Sequence, residues 1–148
     1  MKILFPLGAA FLATLVWLLP RCVLMRLGKG LGTLAYHFAK RRAHIARVNI
    51  AKCFPELTKT EQEALVKKNC QSVGMGAIEI TLAWWLPAWR FKHVPFELCG
   101  VENLKAARAG NTGVILCGSH FTCLEMMGRL LGAQHPFHIV YRKHESDA

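Results

Sequence analysis

Between Lys2 and Arg21 the chain runs for 18 residues, Ile3 to Pro20, without a charged side chain. As a helix at about 1.5 Å per residue, this segment would reach about 27 Å, close to the roughly 30 Å hydrocarbon core of a bilayer. A secretory signal would end at a small-x-small cleavage site, but the segment runs instead into Leu-Leu-Pro-Arg-Cys-Val-Leu-Met. The favoured reading is a retained transmembrane anchor, and a buried core helix is the alternative. Pro6 lies near the start, where a proline disturbs a helix least.

The chain just after this segment is basic. The net charge is +10, and residues 1–55 hold nine Lys or Arg with no Asp or Glu, while residues 56–148 hold ten basic and nine acidic residues. By the positive-inside rule the part after Arg21 belongs on the cytoplasmic side of a single-pass protein. Basic residues near a membrane are drawn to anionic phospholipid by about 1 kcal/mol each. A nucleic-acid partner is excluded for want of any recognition-helix, zinc-finger or aromatic-sheet signature. The six cysteines contain no Cys-x2-Cys pair, so neither a zinc site nor a redox motif is suggested. Cys99, Cys117 and Cys123 stand in apolar surroundings and read as small core residues, which fits a reducing compartment.

Three regions emerge: residues 1–26 as anchor, 27–93 as a basic helical segment, and 94–148 as the start of an α/β domain. Gly28, Gly30 and Gly32 follow no strand and read as close packing or a bend, not as a phosphate loop. Leu34 to Cys53 has a helical, basic texture that Phe54-Pro55 ends. Thr58-x-x-Glu61 and Thr60-x-x-Glu63 are overlapping capping boxes, so a helix starts there. Val66, Cys70, Val73, Ala77, Ile80 and Trp84 repeat at four and three as its apolar stripe, and the helix stops by Pro87. Trp84, Trp85, Trp89 and Phe91 then cluster beside Arg90 and Lys92. Core packing is the default for such aromatics, with interfacial anchoring the second reading.

From Phe96 the texture becomes strand–helix–strand–helix–strand. The strands are Phe96–Cys99, Val114–Cys117 and His138–Tyr141. The helices are Val101–Ala109, after a turn at Gly100, and Phe121–Leu131, closed by Gly132. This βαβαβ order defines an α/β fold, and such sheets bind ligands beyond the carboxyl ends of their strands. His120 stands at such an end, five positions before Glu125. Residues five apart on one helix point about 140° away from each other. For the two to meet, His120 must sit in the turn and Glu125 must reach back from the helix. That arrangement suits a general base and the carboxylate that orients it. The spacing alone is weak, since about 0.4 such His–acid pairs are expected by chance in this composition. No ligand cluster argues for a metal or another cofactor.

The apolar N-terminal segment, Arg47-Val48-Asn49-Ile50-Ala51-Lys52-Cys53-Phe54-Pro55-Glu56, Ser72-Val73-Gly74-Met75-Gly76 with Glu79, Gly100-Val101-Glu102-Asn103-Leu104, His120-x4-Glu125 and Val140-Tyr141-Arg142 together resemble the late acyltransferases of lipid A biosynthesis. The resemblance covers nearly the whole chain in order. It implies a bacterial inner-membrane enzyme that moves a fatty acyl group from an acyl carrier protein thioester to a hydroxyl of the Kdo-bearing lipid A precursor. His120 would be the base and Glu125 its orienter, with no cofactor. Arg142 would bind a phosphate or the oxyanion, and Arg47 and Asn49 are further candidates for substrate contact. Two departures stand out. Lys143 occupies a position where the family usually has proline, and the family runs to roughly twice this length. The chain is therefore expected to be the N-terminal half of such an enzyme. The competing reading is a catalytically inactive, membrane-anchored remnant or scaffold that binds lipid or a partner, and the coding sequence downstream would separate the two.

Overall fold

The computed structural model describes residues 4–110 and 113–140. In chain order its elements are α1 (Leu4–Leu18), α2 (Arg21–Phe38), α3 (Lys40–Cys53), α4 (Lys59–Trp85), α5 (Ala88–Phe91), α6 (Val101–Arg108) and α7 (Leu124–Gln134). The organising element is α4. It begins at a capping box in which the Thr58 hydroxyl accepts from the Glu61 amide, while the Glu61 carboxylate accepts from the Thr58 N–H at 2.8 Å. The same contacts hold the Glu61 carboxyl below its usual range, the Thr58 hydroxyl being the main cause. Leu86-Pro87 ends the helix, because the ring of Pro87 cannot continue it.

Helix α2 lies antiparallel along α4, with Gly28 against Gly74 and Gly32 against Cys70. A Cβ built on Gly28 would come within 2.8 Å of the Gly74 carbonyl oxygen, and one on Gly32 or Gly74 would collide with backbone of the other helix. The two backbones therefore touch where these residues have no side chain. Gln71 Nε2 donates to the Thr33 hydroxyl at 3.0 Å across the same seam. The buried row of α4 consists of Val66, Gly76, Ile78, Leu82 and Ala83. Val73, Ile80 and Trp84 face outward, Trp84 at 71 % exposure, so the stripe expected from periodicity is correct only near its start. A hydrophobicity pattern gives glycine no weight, and it therefore misses a helix face whose closest contacts are glycines. The aromatic cluster divides similarly: Phe91 is in the core, whereas Trp89 is 60 % exposed.

The chain N-terminal to α2 corrects the expected membrane anchor. No helix among the described residues is long and apolar enough to cross a membrane. Among the described residues α1 covers 15 residues, about 22 Å, and ends before Pro20, which serves as the N-cap of α2. Its Val16 is buried in a cluster with Leu24, Ile78, Leu82 and Met126. The alternative reading, a core helix, describes that packing, and the transmembrane helix and single-pass inner-membrane topology expected from sequence are set aside.

The α/β expectation is corrected as well. Residues 96–99, 114–117 and 138–140 carry no regular structure, Tyr141 lies outside the described residues, and no strand occurs among the described residues. A strand exists only through its ladder of hydrogen bonds to a neighbour. A short apolar run can resemble a buried strand in sequence without any partner being specified locally. Here Ile115 is 90 % and Val140 99 % exposed. The two helices expected in this region do form. Gly100, at φ 78°, supplies the left-handed turn into α6 that a residue with a Cβ rarely adopts. Helix α7 is displaced by three residues from its expected position, and Gly132 lies inside it.

Candidate active site

The turn that leads into α7 is tight. The Phe121 amide donates to the Ser119 carbonyl at 2.8 Å, a three-residue turn with His120 at its apex, and the Leu124 amide donates to the Phe121 carbonyl at 3.3 Å. His120 is exposed there, and Glu125 is exposed in the first turn of α7. No hydrogen bond or ion pair joins the two among the described residues. The turn rests on α4, where Gly76 faces Thr122.

Two arginines complete helix ends from elsewhere in the chain. Neither α1 nor α4 has a basic residue in its last turn, so their final carbonyls lack a local cationic partner. Arg90 donates to the carbonyls of Val16, Trp17 and Leu19 at 2.9, 2.6 and 3.0 Å. Arg129, on α7, donates to those of Leu82, Ala83 and Leu86 at 3.1, 2.9 and 2.7 Å and lies 4.0 Å from the Phe91 ring centroid. Burial lowers the pKa of Arg129, yet its guanidinium has three carbonyl acceptors and an aromatic face as partners. Arg90 also lines an open cleft of about 390 Å³ whose walls include Arg21, Leu82, Leu86, Trp89, His93 and Met126. His120 and Glu125 do not line it, although Met126 follows Glu125 directly.

Arg47 has a defined partner. Its Nε donates to Glu63 at 2.8 Å and its Nη2 at 2.6 Å, a two-pronged pair between α3 and α4, and Tyr36 Oη of α2 donates to the same carboxylate at 2.6 Å. These contacts, Arg47 first, hold the Glu63 carboxyl down at about 2. Glu63 in turn pushes up both the Arg47 guanidinium and the Tyr36 phenol. Asn49 is exposed on α3, and Arg142 lies outside the described residues. Sequence reasoning assigned Glu63 to a second capping box and missed its role as the acceptor joining three helices. Arg90 and Arg129 were also missed as caps, although the absence of basic residues from the last turns of α1 and α4 was a readable signal. Among the described residues no group of three or more His, Cys, Asp or Glu side chains could hold a metal ion.

The comparisons with known proteins agree on one family. Residues 2–148 match the family described as bacterial lipid A biosynthesis acyltransferase, and the chain belongs to that family. It is 42 % identical over 134 residues to the lipid A biosynthesis lauroyltransferase of Escherichia coli (strain K12), a match covering 88 % of this chain and 44 % of that protein. It is 39 % identical over 143 residues to the lipid A biosynthesis palmitoleoyltransferase of the same organism, covering 96 % and 45 % of the two chains. A lipid A biosynthesis acyltransferase of Haemophilus influenzae is 37 % identical over 145 residues, 97 % of this chain and 45 % of that one. The chain thus spans less than half the length of the curated relatives it matches. No solved structure matches it at comparable significance.

Proposed function

We propose that the protein transfers a fatty acyl group from an acyl carrier protein thioester to a hydroxyl of the Kdo-bearing lipid A precursor in lipopolysaccharide biosynthesis. The observation that carries this reading is the family match over residues 2–148, joined by relatives whose names specify lauroyl and palmitoleoyl transfer. In this mechanism His120 takes the proton of the acceptor hydroxyl as its oxygen attacks the thioester carbonyl. The tetrahedral intermediate collapses, the carbon–sulfur bond breaks, and the imidazolium returns its proton to the departing thiolate. The products are an ester and the free thiol of the carrier. Glu125 fixes the tautomer of His120 and stabilises the imidazolium. The side-chain pair forms when substrate binds, since catalytic hydrogen bonds are commonly loose in the free enzyme.

Arg142 binds a lipid A phosphate or the oxyanion in this scheme, and Asn49 offers the acceptor an exposed amide. Arg47 holds α3 against α4 through Nε and Nη2, and with its side chain 42 % exposed it can meet a substrate from the same position. The basic N-terminal half suits acidic acyl carrier protein. The test uses purified full-length protein with acyl carrier protein thioester and the lipid A precursor. His120→Ala should lower turnover by about 10²–10⁴-fold and Glu125→Ala by less, both without loss of folded protein. A His120→Ala variant of near-normal activity would refute the mechanism.

A further inference from the structure

Helix α4 contains two glycines that its contact with α2 does not explain equally. Gly74 packs against Gly28 and Gly32 of α2. Gly76 lies two residues, about 200°, further round the helix and cannot serve that contact. It is buried all the same, and a Cβ built on it would stand 2.7 Å from Thr122 Cβ and 3.1 Å from the Thr122 carbonyl oxygen. A glycine inside a helix is unfavourable relative to alanine. Its presence here gives room for another part of the chain to lie against the helix backbone, and that part is the His120 turn.

We propose that Gly76 is a positioning residue: it is the seat on which Thr122 rests, and it sets the height and tilt at which the turn presents His120. The inference rests on the reading of His120 as the base. Thr122 is two residues beyond His120 and three before Glu125, so displacement of Thr122 moves both. The other end of the lever is fixed, because Arg129 is tied to the carbonyls of Leu82, Ala83 and Leu86. Helix α7 packs on α4, rising about 8 Å from its first residue, Leu124, to Arg129, while α4 rises about 9 Å from Gly76 to Leu82. The segment into α7 therefore runs alongside α4, held at two points. Adding a methyl group under the first point cannot be absorbed by sliding the helix and must tilt the turn.

The experiment is Gly76→Ala in the full-length protein, read three ways. Helical content should stay at the wild-type value and the melting temperature should fall by only a few degrees, because the helix preference of alanine offsets part of the clash. Amide hydrogen exchange in residues 118–123 should quicken while that of residues 60–75 is unchanged. Turnover should fall by about 10–100-fold with KM changed little, as expected when a reacting group is displaced by about 1 Å. Thr122→Gly removes the Cβ that the new methyl meets most closely and leaves the carbonyl contact at 3.1 Å, so the Gly76→Ala/Thr122→Gly pair should recover part of the lost turnover. Wild-type turnover with unaltered exchange in Gly76→Ala would refute the seat, as would a loss that Thr122→Gly does not relieve. If the wild-type protein transfers no acyl group, or His120→Ala matches it, the functional reading fails. The exchange rates of the Gly76→Ala turn then still decide whether Gly76 seats it.

Discussion

The body formed by α1 to α4 and the stretch from Val94 to Val140 are built on different terms. In the body, helix contacts helix through backbone at Gly28, Gly32 and Gly74, and buried Leu24 and Val66 lie in the helices on either side of that seam. In the later stretch Met126 is the one buried hydrophobic residue among those described, and apolar residues such as Ile115 face outward. The residues proposed for chemistry, His120 and Glu125, belong to the second region and are attached to the first by Thr122 on Gly76 and by Arg129 on the end of α4. The candidate site therefore owes its placement to a scaffold that contributes neither of those two side chains.

A matched glycine pair separates the two regions most strongly. A Cβ at Gly74 collides with backbone of α2, whereas one at Gly118 meets only the flexible Met127 Cε at 3.4 Å. Gly74→Ala should destabilise the protein by about 3 kcal/mol, and Gly118→Ala should change stability by no more than about 0.5 kcal/mol. Denaturant titration of both variants checks this, and equal midpoints would show that the two regions are packed alike.

Arg129→Ala tests the link between the regions. Three carbonyls lose a charged donor, so a loss of about 2 kcal/mol is expected. Arg129→Lys should restore only part of it, because one ammonium cannot reproduce the guanidinium fork. A lysine variant as stable as wild type would mean that charge alone, and not the planar donor geometry, holds α7 to α4.

The smallest effect concerns pH. The folded-state pKa of Glu63 is depressed from 4.5 to about 2, first by Arg47 and then by Tyr36. A depressed carboxyl stabilises the fold when ionised, so its contribution is fully present above about pH 5 and is lost as pH falls toward 2. The side chains of Arg47 and Glu63 are 42 % and 41 % exposed, so solvent screening limits the effect to about 1 kcal/mol. Glu63→Gln should flatten the acid limb of the stability curve, measured as unfolding midpoints between pH 7 and pH 2.5. An unchanged acid limb would show that the pair is not coupled to folding.

The sequence was most readable where a signal acts within one turn of chain. The Thr58–Glu61 box, the stop at Pro87 and the turn at Gly100 needed nothing distant to be inferred. It failed where the partner is remote. Val114 to Cys117 has strand-like composition, but pairing is a property of two segments, and its neighbours supply none here. Ile3 to Pro20 has the hydrophobicity of a membrane span, yet α1 stops at Leu18, before Pro20, and Val16 has a core to enter. The partners of Arg47, Arg90 and Arg129 are 16 to 74 positions away and leave no local trace. For the candidate site, the turn at His120 and the helical start near Glu125 were legible, while their support from Gly76 was not.

The cap on α1 bears on the order in which the protein acquires its structure during synthesis. The carbonyl of Val16 is satisfied by Arg90, 74 residues later in the chain. At about 5–20 residues per second, a ribosome needs roughly 4–15 s to travel that distance. For that interval α1 has an unfinished end, and for most of it the complete α4 on which it lies has not yet been made. The end of α1 is thus completed only when the arginine arrives, and its Val16 gains Met126 later still.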